Sequence, residues 1–372
     1  MEVDVAIVGA GPAGSTLATL LARRGASVAL IDRDRFPRDK LCGEFLSYDA
    51  LPILQRFGIP LHGAPAITHC RVVGRRRSYE FDFPQAARGV SRRLLDDLLF
   101  RNAKAAGAQT LDACTVTSVS KNGLHTDREI RARVVVGGWG RWGRFDTQLG
   151  RAFVRDHTHR HFGFKRHYRP TENSERQTIE LYSFRRGYLG VSAIENGETN
   201  ICGLVHADRL AGHKGRWEAF VDEIRHEEPR LDRMYARYEP AQEGFLSSEP
   251  VIFRARSAVE SGIFMIGDAS GVIDPLTGNG MAMAIQSALL IAPFVRLALS
   301  GKRQDAEVAY RQRHRDFFAS RIRWSRRVAY VLSRPALLDA ALSAGDFGGY
   351  LMRRTRATVD EISKLTDIEF AQ

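Results

Sequence analysis

The sequence predicts an α/β fold in which a parallel, nucleotide-binding layer is split by β-rich insertions and followed by C-terminal helices. Three observations carry this. A glycine-rich turn separates an apolar strand from a helical pattern in "VDVAIVGAGPAGSTLATLLARRGASVALIDRD". A second strand, glycine turn and helix appear far downstream in "ARSAVESGIFMIGDASGVIDPLTGNGMAMAIQSALL". Between them lie alternating runs such as "TIELYSF" and "YLGVSAI", the period of half-buried strands.

The first segment is of Rossmann type. Val3 to Val8 make a buried parallel strand, and Gly9, Gly11 and Gly14 give G-x-G-x-x-G before the apolar helical positions Leu17, Leu20 and Leu21. Gly9 permits the tight turn, Gly11 lets the backbone approach a pyrophosphate, and Gly14 allows close helix–strand packing. Pro12 and Ala13 open the helix, whose free N–H groups face the phosphates. A second strand, Ser27 to Ile31, ends in Asp32, 18 residues after Gly14, suited to ribose hydroxyls, with Arg33 beside it as a further cofactor-binding candidate. This motif does not separate FAD from NAD.

The second segment places Gly267 and Asp268 at the carboxyl end of a strand, Ile263 to Ile266, where ligands bind in open α/β sheets. Pro275, Gly278, Asn279, Gly280 and Met281 then form a turn into a helix, whose start can present N–H groups to an anionic ring edge. Two such sites in one chain suit an extended dinucleotide held along its length.

With "GAGPAG", "SRRLLD" and "GDASGVIDPLTGNG" in that order, the chain resembles the superfamily of FAD-dependent aromatic hydroxylases and geranylgeranyl reductases over most of residues 1 to 300. "CGE", residues 42 to 44, is most similar to the geranylgeranyl reductase-like branch. The resemblance implies FAD and a p-hydroxybenzoate hydroxylase-like fold. It implies that Asp268 bonds the ribityl chain and that residues 278 to 281 face the flavin pyrimidine edge. It further implies that Arg92, four residues before Asp96, lies near the phosphates or adenosine, and that Cys42 and Gly43 lie along the ring. Cys42, Glu44 and Tyr188 are the catalytic candidates. Cys42 is expected as a compact neighbour of the ring, with Glu44 anchoring the loop or relaying a proton.

Two departures from the superfamily pattern matter. Trp139 stands in "VVVGGWGRWG" where many hydroxylases carry an aspartate, which argues against their manner of using NADPH; Trp139 and Trp142 are expected to pack against neighbours. In "GYLGVSAIENG" Tyr188 matches the reductase motif, but Gly190, Ser192 and Ala193 replace its Trp, Phe and Pro, which weakens the case for a polyprenyl chain.

The expected division is a discontinuous FAD-binding domain (1–60, 90–149 and 256–300), a β-sheet substrate domain (61–89 and 150–255) and a C-terminal helical region (301–372). Tyr79, Phe81, Phe83, Phe164, Tyr182 and Tyr188 are candidates to line a substrate cavity, although most such aromatics are core. "RDHTHRHFGFKRH" holds four histidines without a supporting carboxylate pattern, so a solvated linker rather than a metal site is expected. In "FFASRIRWSRRVAYVL" the apolar positions suit a cap on the cofactor domain, with peripheral contact to an anionic membrane as the alternative.

The formal charge is +12, yet no RNP strand, zinc finger or helix-turn-helix accompanies it, so no nucleic-acid partner is expected. Four cysteines without CxxC spacing, and an N-terminus without a secretory pattern, suit a reducing, cytoplasmic setting. The expected activity is FAD-dependent oxidoreduction of a lipophilic or aromatic small molecule, with NADPH, NADH or a separate reductase as electron donor. The missing prenyl-binding aromatics tilt this toward hydroxylation of an electron-rich ring. Reduction or desaturation of C=C bonds is the alternative, and a flavin-bound electron carrier a third.

Overall fold

The computed structural model describes all residues except 157–159, 173–174, 214, 249, 254–255, 344–352 and 371–372. The strands fall into two sheets. In the first, the order is Val259–Glu260, Ile263–Met265, Glu129–Gly137, Glu2–Val8, Val28–Ile31, Gln109–Leu111, with a hairpin (Ser118–Ser120 and Gly123–His125) on Glu129–Gly137. Its central pairs are parallel, with Val5 opposite both Val28 and Val134, and Phe264 opposite Val136. The strand of residues 2–8 is buried on both faces, which is why it reads as an unbroken apolar run. Helices Pro12–Arg23, Arg92–Ala105 and Gly280–Leu299 cover one face and bury Leu17, Leu21, Leu95, Leu99, Ile285 and Leu289.

The second sheet runs Tyr238–Pro240, Arg160–Pro170, Thr199–His206, Gly187–Ala193, Thr178–Phe184, Ala66–Val73, Ser78–Gly89, Phe45–Leu46. One face packs on helices Trp217–Glu227 and Pro229–Tyr235 through Phe164, Tyr182, Phe184, Phe220 and Ile224. The other looks toward the first layer, where Ile67, Cys70, Leu181 and Tyr188 meet Leu276, Val328 and Leu332. Phe164 and Tyr182 therefore belong to the core beneath the two helices, not to a cavity facing the cofactor layer. Those helices are a further difference from a purely β-rich insertion. Their apolar positions Phe220, Val221 and Ile224 recur at helical spacing and cover a sheet face that would otherwise be wet.

The stretch expected as a histidine-rich linker is corrected: Arg160–Pro170 is a strand of the second sheet. His157 and His159 lie outside the described residues, and among the described ones no group of His, Cys, Asp and Glu forms a metal-ligand cluster. Lys165 and His167 of this strand are buried against the Glu44 carboxylate, so polarity hid a period-2 pattern.

Arg303–Leu332 packs on Gly280–Leu299 through Tyr310, Phe317 and Phe318, and on the second-sheet cluster through Val328. Most of its apolar positions are thus buried in the fold, while Val308 and Tyr330 stay exposed. Gly280–Leu299 is the one described helix long and apolar enough to cross a membrane, and 61% of its apolar window is buried in this fold.

Candidate functional site

The N-terminal turn shows why its glycines are required. Gly9 has φ +104°, and a Cβ there would lie 2.3 Å from the Gly138 carbonyl oxygen. A Cβ on Gly14 would lie 1.9 Å from the Gly9 carbonyl oxygen. Gly11 faces open space, bounded at 3.5 Å by Nη2 of Arg92. Arg92 is aimed by Asp96, to which it donates from Nε (2.6 Å) and Nη2 (2.7 Å). Burial alone would lower the pKa of this guanidinium, and the Asp96 carboxylate more than reverses that.

Asp32 braces the turn itself. Its Oδ2 accepts from Ala10 N–H (2.8 Å) and Arg38 Nη2 (3.0 Å), and its Oδ1 from Asp34 N–H (3.0 Å). Arg38 also donates to the buried Asp96 (3.0 Å), so one cation joins both acids. Arg33 is 74% exposed and pairs with Asp34 at 3.6 Å.

The downstream turn meets the first one directly. Gly267 has φ +57°, and a Cβ there would lie 3.1 Å from Cβ of Ala13, in the helix that begins at Pro12. Asp268 is part-exposed, with Arg141 Nε 4.0 Å from its Oδ2, and its carbonyl accepts from Arg256 (2.9 Å). Pro275 is exposed, and Met281 is buried. Gly278 has φ +63°, with no room for a side chain, since a Cβ would lie 2.6 Å from the Phe45 ring. Residues from the C-terminal region hold this turn from behind: Asn279 donates to Thr355 O (2.7 Å), and Arg356 donates to Thr277 O (2.9 Å) and Ser47 Oγ (3.0 Å).

Tyr188 reaches the same turn from the second sheet. Its hydroxyl donates to Asp274 Oδ1 (2.6 Å) and accepts from Leu276 N–H (3.0 Å). Burial pushes the Asp274 carboxyl up to about 6 against the pull of these hydrogen bonds. Tyr188 is itself buried, and burial together with Asp274 pushes its pKa well up.

The loop at Cys42 connects the two layers. Cys42 is part-exposed, its carbonyl accepts from Asn200 Nδ2 (2.9 Å), and Gly43 is exposed with open space where a Cβ would stand. Glu44 is fully buried at φ +57°. Its Oε1 accepts from Lys165 Nζ (2.5 Å) and Arg92 N–H (3.0 Å), and its Oε2 lies 2.6 Å from His167 Nε2. Burial would raise this carboxyl, but the Lys165 charge and the His167 and Lys165 hydrogen bonds hold it below its ordinary value.

Lys165 and His167 were missed by sequence reasoning, although they stand two apart and so project from one face of their strand. The register sets Cys202 opposite Lys165 and Asn200 opposite His167. It continues from Cys202 to Gly190 and on to Leu181, so Lys165, Cys202, Gly190 and Leu181 form one row across four strands. Burial first, then the neighbouring Cys42, pushes the Cys202 thiol up to about 12, which keeps it a neutral neighbour. Trp139 lies over Gly137, donates to Asp146 Oδ1 (3.3 Å) and packs on Phe145. Trp142 meets Phe153 edge-on.

Two glycine turns in contact, an arginine over the first and an open glycine at the layer boundary fit an extended, anionic dinucleotide. The fold and the site define a flavoenzyme of the Rossmann class with a second sheet over the cofactor layer. The chain belongs to the FAD binding domain family, whose model matches residues 2–324, and it is an FAD-dependent oxidoreductase. It is 28% identical over 362 residues to a menaquinone reductase of Mycolicibacterium smegmatis, covering 91% of this chain and 86% of that protein. Its fold matches a geranylgeranyl bacteriochlorophyll reductase-like protein of Thermoplasma acidophilum (TM-score 0.79, 20% identity, 100% of this chain and 97% of that one). It also matches PqsL of Pseudomonas aeruginosa, described as a probable FAD-dependent monooxygenase (TM-score 0.71, 17% identity, 92% and 100% covered).

Proposed function

We propose that this enzyme reduces a C=C bond of a lipophilic, isoprenoid-type substrate at the FAD ring. The carrying observation is the buried Lys165–Glu44–His167 group on the Cys42 loop, because reducing an alkene needs a proton source beside the hydride donor. The name of the menaquinone reductase relative, and that of a digeranylgeranylglycerophospholipid reductase matched at 24% identity, support an isoprenoid substrate.

In this proposal Gly9, Gly11, Pro12, Ala13 and Gly14 receive the pyrophosphate, aided by Arg92, while Asp32 fixes the turn toward the adenosine end. Arg33, being exposed, would contribute only at the rim. Gly267, Asp268, Pro275 and residues 278–281 take the flavin half, with Cys42 and Gly43 along the ring. Bound FAD supplies the hydride chemistry. Tyr188 acts by holding the Asp274 turn in place. Residues 61–89 and 150–255 serve as the substrate domain, and 301–372 as its helical backing. NADPH, NADH or a separate reductase provides the electrons.

Hydroxylation of an electron-rich ring is the second reading, favoured by the small side chains at Gly190 and Ser192 where the reductase branch carries aromatics. The two are separated by reducing the holoprotein without oxygen and adding menaquinone or a geranylgeranyl lipid. Reoxidation of the flavin with loss of one C=C bond is expected. Turnover only with oxygen, coupled to a hydroxylated aromatic product, would replace this proposal with the second reading.

A further inference from the structure

The protons of the Glu44 group can be placed from distances alone. His167 Nε2 lies 2.6 Å from Glu44 Oε2 and 3.2 Å from Lys165 Nζ. A carboxylate cannot face a bare ring nitrogen at that separation, so Nε2 carries the proton and donates to Glu44. It then cannot accept from Lys165. The ammonium, fully buried and with three donors, donates to Glu44 Oε1, and the strand register sets Cys202 beside it. At the other end of the imidazole, Nδ1 lies 3.8 Å from Glu198 Oε2. Glu198 is 26% exposed and is shared with the exposed Arg169 at 3.8 Å. The charged groups facing His167 are thus Glu44 from the loop, Lys165 on its own strand, and Glu198 from the turn before the neighbouring strand.

We propose that Glu198, His167, Glu44 and Lys165 form a proton path from solvent to the FAD-facing side of the second sheet. Lys165 Nζ gives one proton to an oxygen or nitrogen acceptor of the bound ligand. His167 gives its Nε2 proton to Glu44 Oε2 while Nδ1 takes one from the Glu198 side, and the Glu44 carboxyl then turns to hand that proton to the Lys165 amine and is left ionised again. One proton enters and one leaves, and the ring, left as the Nδ1–H tautomer, turns over to restore Nε2–H before the next proton passes. The inference rests on FAD chemistry in this chain but not on its direction, since proton transfer accompanies both reduction and oxygen use.

The test uses the holoprotein. Long-range proton–nitrogen NMR should find the oxidised resting form with His167 protonated at Nε2, and a resting Nδ1–H tautomer would overturn the path. Dithionite-reduced holoprotein is then reoxidised by oxygen in H2O and D2O. His167→Gln, which can still donate to Glu44 but cannot pass a proton on, should slow this step at least about tenfold with its FAD spectrum intact. Glu198→Gln, on the surface turn, should slow it in the same direction, and free imidazole should restore the rate in His167→Gly. Unchanged rates and isotope effects in His167→Gln and Glu198→Gln would reduce the group to a loop anchor. A purified protein without bound FAD after reconstitution would instead undo the cofactor assignment, and the tautomer result would still stand.

Discussion

Asp274 shows how one buried carboxyl ties stability to pH. Its folded value is about 6 against an ordinary 3.8, raised by burial. At low pH it is protonated in folded and unfolded chains alike, with no difference between them. As pH rises from about 4 to about 6 the folded chain retains a proton the unfolded chain has released, so stability falls over that window. Above it the loss is complete, at most about 3 kcal/mol. Asp274→Asn keeps an oxygen for the Tyr188 hydroxyl and removes the titration. The expected result is that wild-type melting temperature drops relative to Asp274→Asn between pH 4 and 7. Parallel curves for the two proteins would contradict the assigned cause. Glu44 is the opposite case, a buried acid held ionised by Lys165. It also occupies φ +57°, a conformation costly for a non-glycine residue, which persists because Lys165, His167 and the Arg92 N–H fix both of its oxygens.

At the scale of elements, the strand–turn–helix unit at the N-terminus is set by steric exclusion. A Cβ at Gly14 would press on the Gly9 carbonyl that the first helix must pass. Gly14→Ala is therefore expected to weaken FAD binding by about ten- to hundredfold, the equivalent of about 1–3 kcal/mol of overpacking. Titration of the apoprotein with FAD, followed by flavin fluorescence, measures this directly, and affinity equal to wild type would show that the turn relaxes. The strand Arg160–Pro170 behaves differently. One face carries Phe162, Phe164 and Tyr168 and the other Lys165 and His167, so the polar face and the intervening arginines mask the alternation. Its polar residues are legible as a strand only once Glu44 is known to face them. The helix Arg303–Leu332 is intermediate, because its apolar positions are visible in sequence but the partner they cover is not.

Across the whole molecule, the downstream glycine turn is held by segments remote in sequence. Arg356 donates to Thr277 O and Ser47 Oγ, and Ala357 N–H to Asp49, so the C-terminal region joins the Cys42 side of the site to the Gly278 turn. Arg356→Ala leaves the buried Thr277 carbonyl and Ser47 hydroxyl without that donor, at a cost of about 1–3 kcal/mol. The holoprotein should melt lower and release FAD faster, as read from thermal unfolding and from flavin fluorescence on dilution. Unchanged release would place Arg356 outside the support of the turn.

The sequence by itself determined the parallel layer and both glycine turns, and the resemblance those motifs carry implied FAD. The turns depend on residues close along the chain whose conformations are restricted by sterics, as at Gly9, Gly14 and Gly278. It also located Cys42, Glu44 and Tyr188, without saying what each would touch. Only the tertiary structure decided that Glu44 meets Lys165, 121 residues away, that Tyr188 seats on Asp274, and that Arg356 supports the turn at 277. Charges of opposite sign are compatible with many partners in a sequence. Burial fixes which of them each one meets, because an ion removed from water must be matched where it lies.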